Sequence, residues 1–263
     1  MDYGIQGRVA LVTASSKGLG KACALGLARE GASVALCARG EAELERTAKE
    51  IRATTGAEVF WQRADMASAG DIERLIAATR EHFGRIDILV ANAGGPPPGQ
   101  FLDFTDEDWL AALNLNLMST IRLIRGVLPQ MQAQKWGRIV AITSVTVKQP
   151  FANLILSNVA RAGVVTLAKT LSDQLAKDNV LINTVCPGII LTDRVRQLMQ
   201  NVARTQGIDE AQALRDYVAP VPMGRPGQPA EFAELVVFLC SERCSYLTGT
   251  VTQIDGGLVR SYF

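Results

Sequence analysis

Seven short runs rich in valine, isoleucine and leucine recur at residues 8–13, 33–38, 57–63, 86–91, 137–143, 179–186 and 250–254, and helical periodicity fills most of the gaps. A strand with one wet face alternates apolar and polar residues. These runs are apolar almost throughout, so both of their faces must be covered. Strands separated by helices pair in parallel, and right-handed crossovers place the helices on both sides of the sheet. The expected fold is α/β, a doubly wound sheet of seven parallel strands. No Pro/Ser-rich linker or charge run divides the 263 residues, which read as one domain, 1–263.

The first run breaks into a turn that narrows this to a Rossmann-type, dinucleotide-binding sheet. Residues 8–20 read Arg-Val-Ala-Leu-Val-Thr-Ala-Ser-Ser-Lys-Gly-Leu-Gly and lead into an Ala/Leu-rich helical pattern. Glycines at a helix start bring backbone N–H groups close to a pyrophosphate, and the helix dipole favours its charge. The fourth run ends in Asn92-Ala93-Gly94-Gly95-Pro96-Pro97-Pro98-Gly99, which can continue neither strand nor helix. It forms a loop at the carboxyl edge of the sheet, where ligands bind in such folds. Residues 193–218 are polar and helical, interrupt the last strands, and read as a lid.

Composition excludes several function classes. The 27 basic and 26 acidic residues nearly cancel, leaving no charge footprint for nucleic acid or an anionic membrane. The five cysteines (Cys23, Cys37, Cys186, Cys240, Cys244) lack metal-type spacing and read as buried thiols in a reducing compartment. No signal-like start or apolar run of about 18 residues occurs, so a cytoplasmic protein with small-molecule partners is expected.

With these landmarks the chain resembles the short-chain dehydrogenase/reductase family from end to end, and most closely its 3-oxoacyl-(acyl-carrier-protein) reductases. Thr13 through Gly20 (Thr13, Ser15, Ser16, Lys17, Gly18, Leu19, Gly20) is similar to the family's TGxxxGxG turn, with Ala14 in place of its first glycine. Asp65-Met66 matches the acid after the third strand, Asn92-Ala93-Gly94 the NAG loop, Asn116 the helix asparagine and Ser144 the active serine. Pro187-Gly188 through Thr192 matches the PGxxxT segment, and Ile254 through Gly257 the C-terminal turn. The resemblance implies that these residues hold a nicotinamide cofactor, with Asp65 at the adenine and Thr192 at the carboxamide. Asp65 and Thr192 also suit helix N-caps. A homotetramer joined through long helices at about 106–132 and 152–177 is implied too, although the apolar stripe along each (Leu113, Leu117, Ile121, Ile124; Val164, Leu167, Leu171, Leu175) also serves core packing.

The end of the second strand favours NADP(H) over NAD(H). A carboxylate there accepts from the ribose 2′-hydroxyl and repels a 2′-phosphate. Ala38 occupies that position, Arg39 follows it, and Lys17 adds a second cation.

The catalytic pair departs from the family pattern. The resemblance implies a tyrosine thirteen residues after the serine and a lysine four residues later; Ser157 and Arg161 stand there. A serine hydroxyl is shorter and far less acidic than a phenol of pKa ~10, and an arginine stays protonated, so Arg161 relays no proton but keeps the charge to bind the cofactor's ribose hydroxyls or a substrate anion. Tyr3, Tyr217, Tyr246 and Tyr262 are the only phenols; His82 closes a surface helix; Lys148 sits in a loop. A water held by Ser144, Ser157 and Asn116 is a further candidate donor. Two expectations follow: an NADP(H)-dependent reductase of an acyl thioester or small ketone with rerouted acid catalysis, or a non-catalytic NADP(H)-binding regulatory or scaffold protein.

Overall fold

A computed structural model describes residues 2–261. The strands are β1 (Val9–Val12), β2 (Ser33–Ala38), β3 (Val59–Arg63), β4 (Ile88–Ala91), β5 (Gly137–Ile142), β6 (Val180–Pro187) and β7 (Val251–Ile254), each within or one residue beyond an apolar run. They form one seven-stranded sheet in the order β3-β2-β1-β4-β5-β6-β7, every neighbouring pair parallel.

The helices are α1 (Gly18–Arg29), α2 (Glu41–Thr55), α3 (Ala69–Phe83), α4 (Asp106–Leu113), α5 (Ser119–Ala133), α6 (Ile155–Leu175), α7 (Asp193–Gln206), α8 (Glu210–Val218) and α9 (Pro229–Leu239). The strands' two-residue period divides the core between the faces. Ala10, Val12, Val34, Leu36, Ile88 and Val90 pack with Leu27, Leu44, Ile51, Phe232 and Val236 of α1, α2 and α9. Leu11, Ala35, Leu89, Ala91, Ile139 and Ala141 pack with Leu75, Ile76, Leu123, Val127 and Val164 of α3, α5 and α6. Both faces of the central strands are covered, and β1, β2 and β4 are accordingly almost wholly apolar.

Two expectations on helix extent need correction. The helix expected over 106–132 is divided: a π-helical turn, Asn114–Met118, joins α4 to α5 and carries Asn116. The second long helix is shorter than 152–177, and Val164 and Leu175 of its stripe are fully in the core. Helices α7 and α8 occupy the expected lid and share a small core of Met199, Ala203 and Ala213.

The strand order reverses between β1 and β4, which opens a crevice at their carboxyl ends. The turn at 13–18 leaves β1 there, and the 92–100 loop leaves β4. All five cysteines are buried and unpaired. Among the described residues no helix is long and apolar enough to cross a membrane, and no cluster of potential metal ligands occurs.

Candidate active site

Two side chains hold the glycine turn in shape. Ser15 is fully buried; its Oγ donates to Val12 O (2.8 Å) and accepts from Cys37 N (3.1 Å), fixing the turn to the end of β2. Thr13 Oγ1 donates to Asn92 O (2.6 Å) and accepts from Asn92 N (2.8 Å), clasping the turn to the loop after β4. These two residues, expected to touch a cofactor, support the turn from behind. Met66 likewise turns its side chain into the core. Asn92 Nδ2 also reaches Ala14 O at 3.4 Å.

What the turn presents outward is a helix start with nothing on it. α1 has no side-chain cap and no acid in its first turn, so its positive end is uncompensated. A Cβ on Gly20 would fall 2.4 Å from Ala14 O, so glycine alone fits. Gly18 takes a φ of +59° and lies beside Thr192, whose Cγ2 would be 3.5 Å from a Cβ there. A cavity of about 430 Å³ follows, lined by Ser16, Lys17, Gly18, Thr192, Asp193 and Arg196 among others.

Ala14 takes the left-handed conformation, φ +48°, which a Cβ makes ~1–2 kcal/mol costlier than glycine. Ala14→Gly is therefore expected to stabilise the fold by roughly 1 kcal/mol, the unfolded-chain entropy of glycine taking back part of the relief. Chemical denaturation checks this; an unchanged or lower midpoint would mean the turn is not strained.

The wall beyond β2 is cationic. Arg39 and Lys17 are exposed and in no ion pair among the described residues. Arg63, in register with Ala38, donates through Nε to Arg39 O (3.2 Å) and adds a third cation. Sequence reasoning missed Arg63; its position at the end of β3 was the available signal. Asp65 does not cap α3: Ser68 does, accepting from Asp71 N, while Asp65 Oδ1 takes Ala67 N (2.9 Å). Thr192 stands at the N-cap of α7 yet makes no cap hydrogen bond, so its hydroxyl is not spent there. The segment before it is fixed by Leu191 N to Gly227 O (2.8 Å) and Gly227 N to Ile189 O (2.9 Å), and Gly188 N donates to Ile254 O (3.0 Å). Leu19 and Ala93 are partly buried against the two cores, and Gly94 is exposed.

Ser144 follows β5 and caps a short 3-10 turn, its Oγ accepting from Thr146 N (3.2 Å) and keeping its proton to donate. Asn116 is buried; its Nδ2 reaches Ala112 O (3.3 Å), and its Oδ1 has no partner among the described residues, an orphan acceptor that a buried site rarely leaves idle. On α6, Arg161 lies one turn from Ser157 and donates through Nε to its Oγ (3.2 Å). Arg161 Nη1 donates to Ile142 O (3.1 Å) and Thr143 O (3.0 Å) at the end of β5, while its Nη2 bonds no protein group among the described residues. The side chain is 8% exposed. Burial, with the nearby Arg194 cation, lowers its pKa to about 10, so the guanidinium is still charged at neutral pH.

The other phenols divide by position. Tyr246 is fully exposed, and Tyr3 packs against the core on the α1 side. Tyr217 of α8 is pushed up by burial, a shift Arg194 opposes, and Tyr262 lies outside the described residues. His82 pairs with Glu58 (3.1 Å) and stacks on Phe60, on the last turn of α3. The 92–100 loop is tied to the start of α6 by Gly99 N donating to Asn153 O (2.8 Å).

An uncapped helix start lies behind a cradle only glycine fits, with unpaired cations beyond β2, all at the switch point of the sheet. Residues 13–259 match the family model described as enoyl-(acyl carrier protein) reductase. The chain is 35% identical over 252 residues to a putative ketoacyl reductase of Streptomyces coelicolor, covering 95% of this chain and 96% of that protein. It is 34% identical over 258 residues to the 3-oxoacyl-[acyl-carrier-protein] reductase FabG of Aquifex aeolicus, covering 98% and 100%. L-sorbose reductase from Gluconobacter frateurii, solved with NADPH and L-sorbose, superposes with a TM-score of 0.97 at 34% identity over 99% of this chain and 100% of that one. The chain belongs to the short-chain dehydrogenase/reductase family, and its relatives are oxidoreductases acting on carbonyl and hydroxyl groups.

Proposed function

We propose that this protein is an NADP(H)-dependent, ketoacyl-reductase-like oxidoreductase that reduces the carbonyl of an acyl thioester or small ketone without the usual tyrosine acid. The observation that carries the reading is an uncapped helix start behind the glycine cradle, on the same sheet edge as Ser144 and Asn116. The residues fit a nicotinamide dinucleotide: Ser16, Gly18, Leu19 and Gly20 against the pyrophosphate, Asp65 at the adenine, Asn92, Ala93 and Gly94 along its flank, Pro187, Gly188 and Thr192 at the nicotinamide end. Lys17, Arg39 and Arg63 would take a 2′-phosphate, in line with the NADPH of the sorbose reductase complex. When bound, the cofactor supplies a hydride.

The chain must then supply a proton. Ser144 can hydrogen-bond the developing alkoxide, and Arg161 contributes a fixed positive charge without relaying a proton. Ser157 Oγ accepts from Arg161 Nε, which leaves its own hydrogen for a water shared with Ser144. Losing a positioned acid costs ~10²–10⁴ in rate, so slow turnover is expected. We also infer a single functional domain with α7 and α8 as its lid, and a cytoplasmic homotetramer built on α5 and α6.

A second reading, a non-catalytic NADP(H)-binding protein, is favoured by the Ser157–Arg161 bond, which ties the two side chains to each other and Arg161 to β5 where the family pattern has a tyrosine and a lysine. NADPH oxidation by the purified protein, assayed with β-ketoacyl thioesters, diketones and quinones, separates the two. Tight NADPH binding with no oxidation by any of them would establish the second.

A further inference from the structure

The floor and rim of the cleft carry three cations that no carboxylate answers. Arg161 forms part of the floor, held by two carbonyls at the end of β5 and with Nη2 left over. Arg194, in the first turn of α7, reaches across to the loop after β4: a Cβ on Gly95 would stand 2.9 Å from its Nη1. Lys148 lies half-buried in the loop that leaves β5 after Ser144. None of the three cations is in an ion pair among the described residues. The nearest acid past β7 is already engaged: Asp255 accepts from Gly257 N (3.0 Å) and Val259 N (2.8 Å).

Arg161 is buried, and a buried charge is ordinarily paired; Arg194 is exposed at the rim, where a second like charge adds repulsion. Arg194 stands at the loop after β4 and Arg161 at the end of β5, neighbouring strands of one sheet edge, so the two cations share the carboxyl end of the sheet. A fold that keeps such an arrangement gains from an anion placed between the two, and guanidinium forks suit the paired oxygens of a carboxylate or phosphate.

We propose that the carbonyl substrate bears a terminal anionic group, carboxylate or phosphate, bound between Arg194 on the lid and Arg161 on the cleft floor. The proposal rests on the reductase reading for the word substrate, but its test is equilibrium binding, which does not need turnover.

Calorimetric titration of the NADP⁺-loaded protein uses three probes: 2-oxobutanoate, its methyl ester, and dihydroxyacetone phosphate. At least one anion should bind ten-fold or more tighter than the neutral ester, and which one does identifies the group. Arg194→Gln should remove most of that preference while NADP⁺ affinity and the thermal midpoint stay as in the wild type. Added salt should weaken the anion alone. Equal binding of anions and ester, or no binding of either anion, overturns the proposal. So does an Arg194→Gln protein that keeps the preference, or one that loses NADP⁺ affinity instead, which would assign Arg194 to the cofactor's phosphates. An absence of NADPH oxidation with every carbonyl, alongside selective anion binding, would count against the reductase reading only.

Discussion

The double variant Ser157→Tyr, Arg161→Lys is expected to turn over a small diketone with NADPH ~10²–10⁴ times faster than the wild type, the range a positioned general acid contributes. Both changes are required. Tyrosine alone would place a phenol beside a guanidinium already fixed to Ile142 O and Thr143 O, and would remove the hydroxyl that accepts Arg161 Nε. Lysine at 161 frees those carbonyls from a rigid fork and restores a flexible ammonium one helical turn from the phenol, which lowers the phenol's pKa. Steady-state kcat with NADPH is the measurement. A gain confined to KM, or none, would show that the pocket around Ser144 no longer positions a carbonyl.

The second large effect concerns the cofactor. Replacing Ala38 with Asp and Arg39 with Ser should weaken NADPH ~10²-fold or more, since each charge-assisted bond lost is worth ~1.5–3 kcal/mol and a carboxylate now repels the 2′-phosphate. NADH should bind as well or better, because the new carboxylate can accept from the 2′-hydroxyl. The site tolerates the change: Ala38 is half-buried at the end of β2, and its carbonyl bond to Ala64 N is unaffected by the side chain. Fluorescence titration with both dinucleotides reads the ratio. If NADPH affinity persists, Lys17 and Arg63 hold the phosphate without Arg39.

The sheet was legible because its signal is local. A strand buried on both faces must be apolar at nearly every position, and the central runs meet that condition on their own, while the two edge strands, β3 and β7, carry Gln62, Arg63, Thr252 and Gln253 and are only partly buried. The glycine turn was legible for the same reason, down to the strain at Ala14, which needs only a φ above zero where a Cβ stands. The extra residue in the π-helical turn was not. Asn114–Met118 has the composition of an ordinary helix, and the α6 residues it packs against lie some forty positions further along the chain.

The behaviour of Arg161 was also out of reach of the sequence. Its carbonyl partners are eighteen and nineteen residues away along the chain and come near only when α6 docks on β5. Spacing indicated a cation one turn after Ser157; it could not say that the fork would turn to the backbone. Arg194 shows the same limit. Nothing in residues 193–218 says which lid residue crosses to Gly95.

The buried cysteines have a practical consequence. Burial drives the thiols of Cys23, Cys37, Cys186, Cys240 and Cys244 upward, that of Cys37 to about 12, so at neutral pH almost none is present as the nucleophilic thiolate. The folded protein is accordingly inert to alkylating reagents and slow to oxidise despite five thiols. A single cysteine placed at Leu198, exposed on α7, becomes the one reactive handle in the molecule. A fluorophore attached there would report on the surroundings of α7 against an otherwise silent background, with no native thiol to remove first.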